Sequence, residues 1–248
     1  MTYCLAIRTD SGIVFAADTR TNAGVDYITS YRKLHVFDAA ADRTFVIASA
    51  GSLATTQEIM HWLQRDLTAT DGRESLNTVT YMFEAANYIG RVSRAVQAQH
   101  AGALSAGPFS GATTLILGGQ IEGDTHELLL IYPQGNFIEA SEDTPYLQVG
   151  ESKYGKPMLD RLGRGGVSLE DAARLAVISL EATIRSNLTV GAPIDLALVR
   201  AGTFTLAHEL RLTEDCSFYQ ETRQRWQLGI EAAFQTLPRF EWEAGHDS

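Results

Sequence analysis

The stretch TYCLAIRTDSGIVFAAD, residues 2–18, decides the fold. Residues 2–8 and 12–17 read as two strands that are apolar almost throughout, so both faces of this ribbon are expected to be covered. Between them, Thr9, Asp10, Ser11 and Gly12 supply turn chemistry, with glycine available for a left-handed conformation. Paired residue numbers in a hairpin add to a constant, here about 21 if the turn is centred between Asp10 and Ser11. Thr2 then falls opposite Thr19, and Asp18 is carried back beside the start of the chain.

Outward from this hairpin, residues 34–37 and 44–50 read as a second pair of strands. The period then changes. Ile59, Met60, Leu63 and Leu67 recur at helical spacing within 52–67, and Val79, Met82, Phe83, Ala86, Ile89 and Val92 do so within 76–99. Residues 102–111, rich in glycine, serine and alanine, read as a loop. Strands follow at 113–120, 127–133, 136–140 and 146–149, then helices at 153–162 and from Ser168, where Asp171 stands as a capping-box-like partner. Strands return at 194–200 and 203–210, and a last helix is expected over about 215–234 with a short acidic tail over 237–248. Strands and helices come in blocks rather than in single alternation. That order argues against a doubly wound parallel sheet and for an α+β fold: two sheets stacked face to face with helices outside, a four-layer α/β/β/α sandwich in a single domain, 1–248.

Composition narrows the function. With 45% hydrophobic and 20% charged residues the chain is ordinary for a globular protein. Its net charge of −10 repels phosphate backbones, which makes nucleic acid an unfavourable partner. No apolar run is long enough to span a bilayer, and the start has no basic region followed by a long apolar one, so a cytoplasmic protein is expected. Cys4 and Cys216 belong to no metal-binding or disulfide pattern and read as small buried apolar residues; no metal or cofactor is expected. The six histidines are scattered and read as structural or surface residues, with His35 the one expected to approach the site. Ser110 lacks the glycine frame of a serine elbow.

The chemistry lies at the chain start. A hydroxyl needs a nearby base to act as a nucleophile at neutral pH. A threonine whose α-amine is free carries its own, titrating near pH 7.7–8.0 in model peptides. Met followed by a small residue is the pattern that methionine aminopeptidases trim, so Thr2 is expected to become the first residue. Lys33 can reach the same place as Asp18. Its charge would depress the amine's pKa, and Asp18 would hold it charged and oriented. Ser49, Ala50, Gly51 and Ser52 close a strand and open a helix, where free backbone N–H groups for an oxyanion occur.

Thr2, then GIVFAADTR over 12–20, then Lys33, then Ala50-Gly51-Ser52 together resemble the N-terminal half of a proteasome β subunit. The opening MTYCLAIR and the segment DTRTNAGVD over 18–26 resemble most the bacterial Anbu, or ancestral β-subunit, group, and VGESKYG over 149–155 and SNLTVG over 186–191 extend the likeness along the chain. The resemblance implies an N-terminal-nucleophile threonine peptidase. Its roles are Thr2 as nucleophile, Asp18 and Lys33 as tuning partners, Arg20 as a structural bridge and Gly51 as oxyanion donor. Asn22, Ser49 and Gly51 would line the substrate, and Ser152, Ser186 and Thr189 would support the amine. It also implies a peptide or unfolded-protein substrate, self-assembly into a ring or spiral, and an ATP-dependent unfoldase as a further partner. Two departures stand out. Glu151 intervenes before Ser152, where the classical subunits have serine directly, and Ser186 occupies a position where they carry aspartate. Glu151 itself reads as a loop charge. Alternative readings are an amidase acting on small amides and a catalytically weak assembly subunit, for which the aromatic tail residues Phe240 and Trp242 would dock on a neighbour.

Overall fold

The computed structural model describes residues 1–22, 28–104 and 110–245. Part of the expected loop at 102–111, the side chain of Asn22, and His246 lie outside the described residues. The chain divides into two compact units, 1–212 and 213–248.

In the first unit, β1 (Tyr3–Thr9) and β2 (Gly12–Asp18) form the N-terminal hairpin, with Cys4 opposite Ala17 and Thr9 opposite Gly12, the pairing constant read from the sequence. β3 (Arg20–Asn22) and β4 (Ile28–Ser30) make a small separate hairpin. β5 (Leu34–Ala40), β6 (Arg43–Gly51), β7 (Thr113–Ile121), β8 (Glu127–Ile131) and β9 (Phe137–Glu139) form one five-stranded antiparallel sheet in chain order. β10 (Tyr146–Gly150), β11 (Ile194–Arg200) and β12 (Leu206–Leu212) join the N-terminal hairpin in the second sheet, ordered β10-β1-β2-β11-β12. The helices are α1 (Leu53–Leu67), α2 (Met82–Leu104), α3 (Ser152–Leu162) and α4 (Leu169–Ser186).

Side-chain alternation explains the stacking. Along β1 and β2, Cys4, Ala6, Ile13, Phe15 and Ala17 face the other sheet and pack with Val46, Ala48 and Ile116 in a closed inter-sheet core. The opposite face of β6 and β7, carrying Phe45, Ile47, Leu115 and Leu117, packs under Ile59 and Leu63 of α1 and Met82, Ala86 and Ile89 of α2. α4 covers β1 and β2 from the other side. The result is the four-layer α/β/β/α sandwich, and it buries every residue of β2, Asp18 included.

Three expectations move. α2 begins at Met82, not near Leu76, because residues 75–81 hold themselves in a turn. Ser75 N–H donates to Thr78 Oγ1 (2.9 Å), and the Glu84 carboxylate accepts from Thr80 N–H (2.8 Å). Leu76 and Val79 are buried in the same core without being helical, which is why their spacing misled. β12 starts at Leu206 because Thr203 is folded back on the Arg200 carbonyl through both its N–H and its hydroxyl. The β3–β4 hairpin has only three residues per strand and no apolar alternation to betray it. By contrast Ser168 caps α4 as expected: its Oγ accepts from Asp171 N–H at 3.1 Å and donates to the Asp171 carboxylate at 2.8 Å.

The second unit holds α5 (Ser217–Gln235) and a 3₁₀ turn (Glu241–Gly245). Phe240 and Trp242 stack on each other with centroids 4.2 Å apart and remain exposed, rather than being packed away.

Candidate active site

β2 ends in Asp18, and the hairpin returns it to the first rung of β1. Asp18 Oδ1 accepts from the backbone N–H of Tyr3 (3.0 Å) and from Lys33 Nζ (2.6 Å), and Oδ2 accepts from Gly191 N–H (3.3 Å). Lys33, just before β5, also donates to the Arg20 carbonyl at 2.7 Å. Both members of this ion pair are buried, Asp18 completely and Lys33 to 5% exposure. Burial pushes the Asp18 carboxyl above its ordinary value, opposed by Lys33 and by the two backbone donors.

Thr2 is half-buried at the open end of this arrangement, with Met1 exposed before it. Its peptide link to Tyr3 is fixed on two sides: the Tyr3 N–H is on Asp18, and the Thr2 carbonyl accepts from Glu151 N–H at 2.8 Å. Gly150 makes the second contact feasible. It sits at φ +85°, and a Cβ there would come within 1.9 Å of the Thr2 carbonyl oxygen.

The remaining expected residues fall into two groups. Ser49, Gly51 and Arg20 build the walls. Ser49 N–H donates to the Lys33 carbonyl (3.0 Å), and Cys4 Sγ donates to the Ser49 carbonyl (3.4 Å), which ties the start of β1 to the end of β6. Gly51, at φ +121°, lies so close to β7 that a Cβ would meet the Ala112 carbonyl oxygen at 2.3 Å; Ser52 then caps α1 through Thr55 N–H. Arg20 donates to the Leu188 carbonyl (2.9 Å), and its guanidinium packs on Gly191, where a Cβ would lie 2.2 Å from Arg20 Cζ. It bridges the 188–191 loop to β3.

The support residues are rearranged. Ser186 is exposed at the end of α4, and Ser152, half-buried at the start of α3, contributes its carbonyl to Gln148 Nε2 (3.2 Å). Glu151 is no loop charge: it is 9% exposed, and its Oε2 accepts from Asn187 Nδ2 at 3.0 Å. Asn187 in turn accepts from both the N–H (2.9 Å) and the hydroxyl (2.6 Å) of Thr189. Asn187, Gly191 and Gly150 lie in the segments that carry the resemblance, but their contacts are not legible there, because a loop's side-chain amide and two glycines carry no periodic signal. The glycines at 150, inside VGESKYG, and 191, inside SNLTVG, are the hints of a close approach.

Other expectations are corrected. His35 lines a cleft with His61, Gln57, Gln64 and Met60 beside α1, and it makes none of the contacts of Asp18 or Lys33. Its Nε2 is buried without a partner among the described residues, and burial and Arg32 push its pKa down to about 4. Cys4 is fully buried, its thiol pushed up to about 12, whereas Cys216 is only half-buried, at the N-cap of α5. Among the described residues no group of His, Cys, Asp and Glu is disposed to hold a metal ion, and no helix is long and apolar enough to cross a membrane.

A four-layer sheet sandwich whose first strand starts beside a buried lysine–aspartate pair has the architecture of the N-terminal-nucleophile hydrolases. Residues 2–199 match the proteasome subunit family, and the chain belongs to it. It is similar to Anbu from Yersinia bercovieri, at 44% identity and a TM-score of 0.89 over 97% of this chain and 99% of that one. It is also similar to the Anbu complex of Pseudomonas aeruginosa, a helical assembly, at 41% identity and a TM-score of 0.91 over 96% and 98%. Proteasome subunit beta 2 of Pyrobaculum aerophilum is 28% identical over 196 residues, covering 79% of this chain and 87% of that protein.

Proposed function

We propose that this chain is a threonine peptidase that attacks peptide bonds with the Oγ1 of Thr2 once Met1 has been removed. The observation that carries the reading is the buried Lys33–Asp18 pair whose carboxylate also takes the N–H of Tyr3, the residue next to the nucleophile. In the reaction the free α-amine of Thr2 takes the hydroxyl proton as Oγ1 bonds to the substrate carbonyl carbon. The Lys33 charge keeps the amine's pKa low enough for it to serve as base. The Gly51 N–H stabilises the tetrahedral oxyanion. Collapse breaks the C–N bond, and the leaving amine takes the proton held by the Thr2 ammonium. Water then attacks the ester carbon, giving up a proton to the α-amine; the C–Oγ1 bond breaks, Oγ1 takes that proton, and the acid leaves with Thr2 restored.

Asp18 and the Arg20 carbonyl hold the Lys33 ammonium, the Ser49 N–H holds the Lys33 carbonyl, and Ser49 and Gly51 flank the substrate. By likeness to the helical Anbu assembly of Pseudomonas aeruginosa, the chain works as a homo-oligomer.

Intact mass spectrometry followed by a β-lactone probe tests this. The expected result is loss of Met1 and a single adduct on Thr2, absent in Thr2→Ala, together with turnover of fluorogenic peptides. A protein that keeps Met1, or takes no adduct, refutes the nucleophile. Adduct formation with turnover of small amides but not peptides assigns the amidase alternative instead.

A further inference from the structure

We infer that Tyr3 is a positioning residue for the Thr2 nucleophile, its buried hydroxyl tying the start of β1 to the α3–α4 layer; this rests on the threonine-nucleophile reading above. Thr2 stands immediately before β1, so the direction of its Oγ1 follows from the peptide group that joins it to Tyr3. Two hydrogen bonds hold that group: the Tyr3 N–H donates to Asp18 Oδ1 (3.0 Å), and the Thr2 carbonyl accepts from Glu151 N–H (2.8 Å). In a trans peptide the N–H and the C=O point in opposite directions, so both bonds lie close to one axis. They hold the peptide in place but leave it able to rock about that axis. Only an anchor off the axis stops the rocking.

The Tyr3 side chain is that anchor. It leaves β1 on the face covered by α4 and is fully buried. Tyr3 Oη lies 2.7 Å from Ser179 Oγ of α4 and accepts from Gln148 Nε2 of β10. The Ser179 hydroxyl has one proton and donates it to the Gly155 carbonyl of α3 at 3.1 Å, so the proton between the two hydroxyls is the tyrosine's. Donors therefore run one way, from Gln148 through Tyr3 and Ser179 to Gly155, and each bond polarises the next. Gln148 Nε2 also donates to the Ser152 carbonyl (3.2 Å). The same network thus holds the start of α3, whose N-cap Glu151 supplies the N–H on the Thr2 carbonyl.

The space is shaped for the hydroxyl and not only for the ring. Gly155 lies inside α3, where glycine is a poor helix former. A Cβ there would come 2.3 Å from Ser179 Oγ and 2.4 Å from Tyr3 Oη, so glycine is what admits both hydroxyls. Burial pushes the Tyr3 pKa up to about 12, against the hydrogen bonds of Ser179 and Gln148, so the phenol keeps the proton it donates.

The test is the saturation kinetics of β-lactone addition to Thr2, read by intact mass in protein lacking Met1, for wild type and Tyr3→Phe well below the melting temperature of both. A misplacement of about 1 Å costs on the order of a hundredfold in rate, so the maximal rate is expected to fall at least about tenfold with the half-saturating probe concentration unmoved. A merely structural role would lower the melting temperature and leave folded molecules reacting at the wild-type maximal rate. That result overturns the inference, as does a change confined to the half-saturating concentration. Should Tyr3→Phe not fold, Ser179→Ala is read instead. It keeps the phenol and removes its acceptor, and the maximal rate is expected to fall about threefold or more; the wild-type rate overturns the inference there too. Wild-type protein without any Thr2 adduct would overturn the nucleophile reading itself, a result distinct from an adduct that forms in Tyr3→Phe at the wild-type rate.

Discussion

Replacing Lys33 by methionine keeps the length of the side chain and removes its charge. In the native fold that ammonium makes two contacts, with Asp18 Oδ1 at 2.6 Å and the Arg20 carbonyl at 2.7 Å, at 5% exposure. Without it a fully buried carboxylate keeps only the N–H groups of Tyr3 and Gly191. Removing one partner of a buried ion pair costs about 3–5 kcal/mol if the other stays charged. Asp18 has an escape, because burial already pushes its carboxyl up and the loss of Lys33 pushes it further. A carboxyl whose folded pKa lies above its unfolded value stabilises the fold fully below the unfolded pKa, and that contribution is lost as pH rises through the folded one. The variant's deficit relative to wild type should therefore be small near pH 5 and grow toward about 3–5 kcal/mol at pH 8. Urea denaturation of wild type and variant at the two pH values measures it. Equal deficits at both would refute the reasoning, as would a deficit below about 1 kcal/mol at pH 8, the scale of an exposed pair. β-Lactone labelling of Thr2 should fall about a hundredfold or more in the same variant.

Gly150→Ala should destabilise the fold by more than about 1–3 kcal/mol and abolish Thr2 labelling, since the new Cβ meets the Thr2 carbonyl oxygen at 1.9 Å; thermal melting and intact mass check both. His35, held near pKa 4 against about 6.5 unfolded, stabilises fully above pH 6.5, and that share is lost as pH falls through 4. The expected loss is about 3 kcal/mol, and His35→Phe should flatten it in denaturation curves taken across that window. Native protein treated with iodoacetamide at pH 8 should leave Cys4 unmodified, because its buried thiol stays protonated, and peptide mapping reads this directly.

The sandwich was legible because its strands and helices obey burial periods. The β1–β2 pairing constant follows from counting residues about one turn, and by itself it places Asp18 beside the chain start. The same logic of strand ends puts Lys33, just before β5, within reach of Asp18 and puts Gly51 at the end of β6. Legibility ended where contacts depend on loops. Ser186 looked like the support residue by its place in the segment, but α4 runs through it and turns it outward, so the adjacent Asn187 meets Glu151. The Glu151 side chain could not be told from a surface charge, because its amide partner, Asn187, lies 36 residues on. Leu76 and Val79 mark the opposite failure, an apolar spacing that reported burial in a turn as if it were helix.

The three donors on Asp18 come from widely separated parts of the chain: Tyr3, Lys33, and Gly191, the last 173 residues away. Such a junction closes only when β11 has docked on β2, and contacts of that sequence separation form slowly. Under the proposed function, a newly made chain would carry Thr2 without the Asp18 junction until β11 has paired with β2, so its competence would arrive with that long-range pairing.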